Sequence, residues 1–221
     1  MKIWTLLLSL SQAPTPPSGT EPQTLVDRLE ALPTAQLEAC ATHSTGLERG
    51  LAHLFLGADD TSRNASLEIA LASFDSLHRA EPTPWNAALL GTAEALQARR
   101  HRRDVIEATR WVGKAIAHFD QAIAGDSANP SLRIFRIHSL VEVPEIFHVD
   151  ERLRRDEALL RRGSPRLVDA SASSLLALAA LDYRFGKLDE ASAIWKLVAG
   201  KSVFAAKPRE QARRKLESLR G

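Results

Sequence analysis

From Thr20 onward the apolar residues recur at three- and four-residue spacings, the period that gathers them on one face of an α-helix, and strand-like alternation has no obvious place. The breaks in this pattern carry helix-boundary chemistry. Thr83-Pro84, Asn129-Pro130 and Ser164-Pro165 each set a capping side chain before a proline, whose fixed φ and missing N–H suit a first helical turn. Gly163 and Gly186 stand where helices should end, because glycine takes a left-handed C-cap without steric cost. The pattern predicts helices near 22–32, 34–57, 64–80, 84–100, 104–125, 130–142, 150–161, 165–185, 188–199 and 208–219. Most joins are short, so consecutive helices should lie antiparallel as a row of hairpins.

Three of these hairpins share an internal spacing. Ala70, Phe74, Leu77 and Pro82 fall at offsets 0, 4, 7 and 12; Ala115, Phe119, Ala122 and Ser127 repeat them; Ala191, Trp195 and Val198 repeat the first three. A small residue lets the paired helix approach, an aromatic one turn later fills the gap between hairpins, and the third position keeps the same face buried. Phe74, Phe119 and Trp195 are therefore expected between hairpins.

At these residues the chain resembles the tetratricopeptide repeat family, whose second helices carry this alanine, aromatic, small-residue pattern. The run from Ala179 to Ala191, with Gly186 five residues before the alanine, is similar to a full turn of that repeat, and Lys114 to Ile123 is nearly as close. Gly50 and Gly57 stand seven apart, like the family's first-helix and turn glycines. Gly57 to Ala70 is thirteen residues where the family has five, and Ala70 to Ala115 is 45 where it has 34. The resemblance implies an all-α stack of antiparallel hairpins in a TPR-like right-handed superhelix over 21–221, with long turns and no regular array. It implies a protein-binding adaptor or scaffold that uses a concave surface.

Composition agrees with a helical protein: 44% of the 221 residues are apolar and only 5% aromatic, and the apolar share is mainly Ala and Leu. Charge is unevenly spread. Residues 1–98 carry 5 Lys/Arg against 11 Asp/Glu, and residues 99–221 carry 24 against 16. Lys2, the apolar run Ile3 to Leu10 and the small-x-small Ser11-Gln12-Ala13 read as an export signal over 1–13, too short to span a bilayer, followed by a Pro-rich linker over 14–20. No transmembrane segment is expected in the mature chain. The expected location is the periplasm or the exterior; the alternative is a cytoplasmic adaptor for an anionic partner.

Chemistry-bearing motifs are scarce. The single cysteine, Cys40, allows neither an internal disulfide nor a cysteine-based zinc site. There is no HExxH, no Gly-x-Ser-x-Gly elbow, no phosphate loop and no dinucleotide fingerprint, so neither enzyme nor cofactor is expected; the second alternative is an enzyme or metal-binding protein without a readable motif. His138 and Glu142, with His148 and Asp150 beyond Pro144, have spacing that permits a metal but lack a metal motif. The basic run Arg99 to Arg103 could meet phosphates, yet acidic neighbours and a net charge of only +2 make nucleic acid an unfavoured partner and helix-end pairing the better reading.

The first helices of the hairpins, 34–57, 84–100, 130–142 and 165–185, should line the concave face. Helical phase puts Asn86, Gln97, Tyr183 and Arg184 there. Arg133 and Arg136 join them because their helix is otherwise apolar: they either pair with acidic residues of a neighbouring helix or hold a carboxylate or phosphate in the groove.

Overall fold

The computed structural model describes residues 22–59, 63–163 and 170–219. The signal and linker expected over 1–20, and the Ser164-Pro165 helix start, lie outside them. Within the described residues the chain is helical with no strand. The elements are α1 (Pro22–Glu30), α2 (Thr34–His43), α3 (Gly46–Asp59), α4 (Asn64–Ala80), α5 (Pro84–Arg100), α6 (Val105–Gly125), α7 (Pro130–Leu140), a 3-10 turn (Glu145–Phe147), α8 (Asp150–Gly163), α9 (Ala172–Arg184), α10 (Leu188–Gly200) and α11 (Ala206–Ser218).

Local chemistry sets most boundaries as expected. Thr83 Oγ1 accepts from Asn86 N at 3.2 Å and Asn129 Oδ1 from Ser131 N at 3.0 Å, with a proline in each first turn. The helix expected over 34–57 is instead two. At Ser44 the backbone is extended, and Gly46 is left-handed at φ 56°. Hydroxyl side chains offer the backbone local alternatives to helix, so the run His43-Ser44-Thr45-Gly46 breaks what apolar periodicity alone would join. Gly186 takes φ 76° in the α9–α10 turn, as expected. Gly163 ends α8 without positive φ, and Gly57 lies inside α3 rather than at a turn; a Cβ there would stand 3.2 Å from Leu67.

The helices pair as antiparallel hairpins, α3 with α4, α5 with α6, and α9 with α10, while α5, α7, α9 and α11 follow one another side by side. Close approach is made at glycine. A Cβ on Gly50 would lie 2.8 Å from the Phe74 ring, and one on Gly91 would lie 3.2 Å from both the Phe119 ring and the Ala115 carbonyl oxygen. Phe74 and Phe119 are fully buried and Trp195 nearly so, as the repeat spacing predicts. Two apolar clusters result, one over α1–α5 and one over α5–α11. Helix α5 is their shared wall: Leu89, Leu90 and Ala93 face the first cluster, and Ala87, Ala88, Ala95 and Ala98 the second.

Candidate functional site: the open stripe of the first helices

Of the six residues expected on the binding face, Arg133 and Arg136 meet at one carboxylate and the other four have separate hydrogen-bond or ring partners or are buried. Arg133 and Arg136 of α7 both reach Asp156 of α8, which is fully buried: Arg133 Nη1 donates at 2.7 Å, and Arg136 holds the carboxylate through Nε and Nη2 at 2.8 Å. Arg136 Nη1 also donates to Asp120 of α6 at 2.8 Å, and Arg133 Nη2 to the Ser127 carbonyl at 2.9 Å. Each guanidinium is thus spent on neighbours within the stack, which is the pairing alternative. Arg184 Nε donates to Asp150 at 2.7 Å and its Nη1 reaches the Val141 and Val143 carbonyls. Gln97 is buried. Asn86 Nδ2 holds the preceding turn through the Glu81 carbonyl at 2.8 Å. Tyr183 is half exposed, its ring tilted on Trp195 at 5.7 Å.

A second buried network seats the other end of α8. Asp182 of α9, fully buried, accepts from Arg161 Nη2 at 2.6 and 2.8 Å, and Lys187 Nζ donates to Glu157 at 2.8 Å. Burial alone would raise the Glu157 pKa, but its hydrogen bonds from Lys187 and Arg161 outweigh that and hold the carboxyl below its ordinary value. The basic run after α5 behaves similarly at its start. Arg99 donates to the Ala58 carbonyl at 3.4 Å, and Arg100 to those of Gly57, Arg63 and Asn64 at 3.1–3.2 Å, so these charges satisfy carbonyls around the end of α3.

With the large charges so engaged, what the first helices leave open is a stripe of small, mostly uncharged polar groups. Thr92 of α5 and Ser139 of α7 are half-buried and meet hydroxyl to hydroxyl at 3.3 Å. On the other side of α7, His138 Nε2 lies 3.1 Å from the Ser173 carbonyl of α9. A carbonyl can only accept, so Nε2 carries the proton and Nδ1 presents a lone pair. Protein packed around His138 lowers its pKa, opposed by the Ser173 bond, although the side chain itself reaches solvent. His138 is thus an exposed side chain held against α9 by its bond to the Ser173 carbonyl. Arg99 and Glu142, 4.0 Å apart, flank the stripe. Helical phase missed these residues because the serines and threonine look like ordinary helix filler in sequence.

Elsewhere, Glu94 of α5 is almost fully buried and meets His118 Nδ1 of α6 at 2.6 Å, with the His78 ring of α4 edge-on at 5.4 Å. The Glu94 hydrogen bond raises the His118 pKa, burial opposing it. Among the described residues no group of three His, Cys, Asp or Glu side chains is placed to hold a metal ion, and no helix is long and apolar enough to cross a membrane. No protein-family model, curated protein or solved structure matches the chain.

Proposed function

We propose that the chain is a protein-binding adaptor of the bacterial cell envelope, a TPR-like scaffold whose partner lies along the open stripe of α5, α7 and α9. The observation that supports this reading is the pair of polar contacts that join three successive first helices, Ser139 to Thr92 of α5 and the exposed His138 to Ser173 of α9. Three successive first helices carry hydrogen-bonding groups of modest size there, while the arginines of α7 are committed to the interior. With the Thr92 hydroxyl donating to Ala88, Ser139 to Thr92 and His138 Nε2 to Ser173, these groups offer mainly acceptors, the hydroxyl oxygens and His138 Nδ1, to the N–H groups of a peptide segment, which favours an uncharged stretch of protein over an acidic one. The export reading rests on residues 1–13 alone, and an intact Met1 on the chain purified from cells contradicts it.

The experiment is photo-crosslinking in the native cell with a photoreactive amino acid at Ser139, compared with Leu159, which is exposed on α8. A discrete adduct at Ser139 and none at Leu159 supports the stripe; the reverse places the partner elsewhere.

A further inference from the structure

The turn between α5 and α6 leads into two adjacent exposed aliphatic residues, whereas Ile146 and Val203 stand singly in the turns before α8 and α11. Helices α4, α8 and α10 begin Asn64-Ala65, Asp150-Glu151 and Leu188-Asp189, whereas α6 begins with two aliphatic residues, Val105 and Ile106. They are 70% and 81% exposed, and Ile106 is the most exposed large apolar residue described. Val105 continues in phase the buried row Val112, Ala115, Phe119 and Ala122, yet at the tip the row overhangs its neighbours. An aliphatic pair held in water at the start of a helix contributes nothing to the stack. Immediately before it come His101, Arg102 and Arg103, all exposed, and neither arginine has an acidic partner or hydrogen bond among the described residues. Asp104 is occupied as the α6 cap, accepting from Glu107 N at 3.1 Å, and Glu107 is paired with Arg110 at 3.3 Å, so the nearby acids are engaged within the helix.

We propose that this tip docks on an anionic phospholipid surface, with Val105 and Ile106 entering the headgroup–acyl boundary and Arg102 and Arg103 lying among the lipid phosphates. Aliphatic wedge and cationic collar are the two parts of reversible interfacial binding, and each alone is weak. An anionic bilayer supplies phosphates and an apolar layer directly beneath them, the order in which the arginines and the aliphatic pair are arranged at this tip, which is why the bilayer is the better fit. The proposal is independent of the partner stripe: the tip and Thr92 lie at separate places on α5 and its turn, so a failure at one leaves the other standing.

The test is co-sedimentation of the full chain with vesicles of phosphatidylcholine alone or with phosphatidylglycerol added. The chain should pellet with the anionic vesicles and stay in solution with the neutral ones. Ile106→Ser should weaken partitioning about tenfold, and Arg102→Ser/Arg103→Ser by a similar factor, about tenfold, while reducing the dependence on lipid charge. All these side chains are exposed, so circular dichroism should be unchanged. Undiminished pelleting by both variants would assign binding to a region other than the tip, the apolar run Ile3 to Leu10 included, and overturn the proposal. So would failure of the unmodified chain to pellet with anionic vesicles.

Discussion

The α3–α4 hairpin and the seat of α8 solve the same packing problem with opposite materials. In the hairpin, Leu51, Leu54 and Leu67 pack with Phe74, whose ring lies against the bare backbone at Gly50. Helix α8, sequence DERLRRDEALLRRG, buries only Leu153 and Leu160 as apolar side chains and is fixed through Asp156 to α7 and through Arg161 to α9. Apolar packing tolerates small slips because it is non-directional. A carboxylate held by two guanidiniums does not, since its strength depends on alignment. The buried ion pairs are therefore expected to set which residues of α8 face which neighbours, and the apolar hairpins to supply the net stability.

Breaking each material in turn sharpens the contrast. Asp156→Ala leaves Arg133 and Arg136 charged and buried without their carboxylate, and should cost about 3–5 kcal/mol in urea denaturation. Phe74→Ala should cost a comparable ~3–5 kcal/mol through the cavity it leaves. The two separate on repair. Replacing the whole network, Arg133→Leu with Arg136→Met and Asp156→Leu, should restore most of the loss, as buried pairs often exchange with apolar residues without penalty. If that triple variant is as unstable as Asp156→Ala, the network supplies stability and not merely register.

Glycine gives a smaller, signed test. Gly50→Ala pushes a methyl against Phe74 and should destabilise by about 1–3 kcal/mol. Gly113→Ala, in exposed α6 with nothing within 4 Å of the new Cβ, should stabilise by about 0.5–1 kcal/mol. Equal effects from the two would refute close approach at Gly50.

The smallest effects come from two histidines of opposite linkage. His118 has its pKa raised from 6.5 by Glu94, so its contribution is complete below 6.5 and fades as pH rises through the higher folded value. His138 is lowered from 6.5, so the folded state resists its protonation and loses stability as pH falls below 6.5. Against the unmodified chain, His118→Gln should lose most melting temperature at acidic pH, and His138→Gln should gain relative stability there. Parallel pH profiles would refute one of the two environments.

The hairpins were legible in sequence because each rests on local signals: Thr83 and Asn129 cap where they must, and Ala70 with Phe74, or Ala115 with Phe119, repeat a fixed interval. The α2–α3 break was not, because Leu37, Ala41, Leu47 and Leu51 keep helical phase across it and only the hydroxyls and Gly46 mark the interruption. The arginines of α7 were conspicuous, but their partners stand 16 to 23 residues away on other helices, a pairing no periodicity encodes. Thr92, Ser139 and Ser173 gave no signal because their meaning lies in contacts between helices, Ser139 with Thr92 and Ser173 with His138.

The division of labour between buried charge and open stripe meets its most direct test in one side-by-side measurement of partner capture from native extract by three folded variants. These are the apolar triple replacement of the network, Thr92→Arg, and His138→Ala as a milder change to the stripe. Normal capture by the triple variant, with about tenfold or greater loss for the stripe variants at unchanged melting temperature, is the predicted result. Loss of capture by the folded triple variant, with normal capture by both stripe variants, would contradict it and return the arginines to the binding surface.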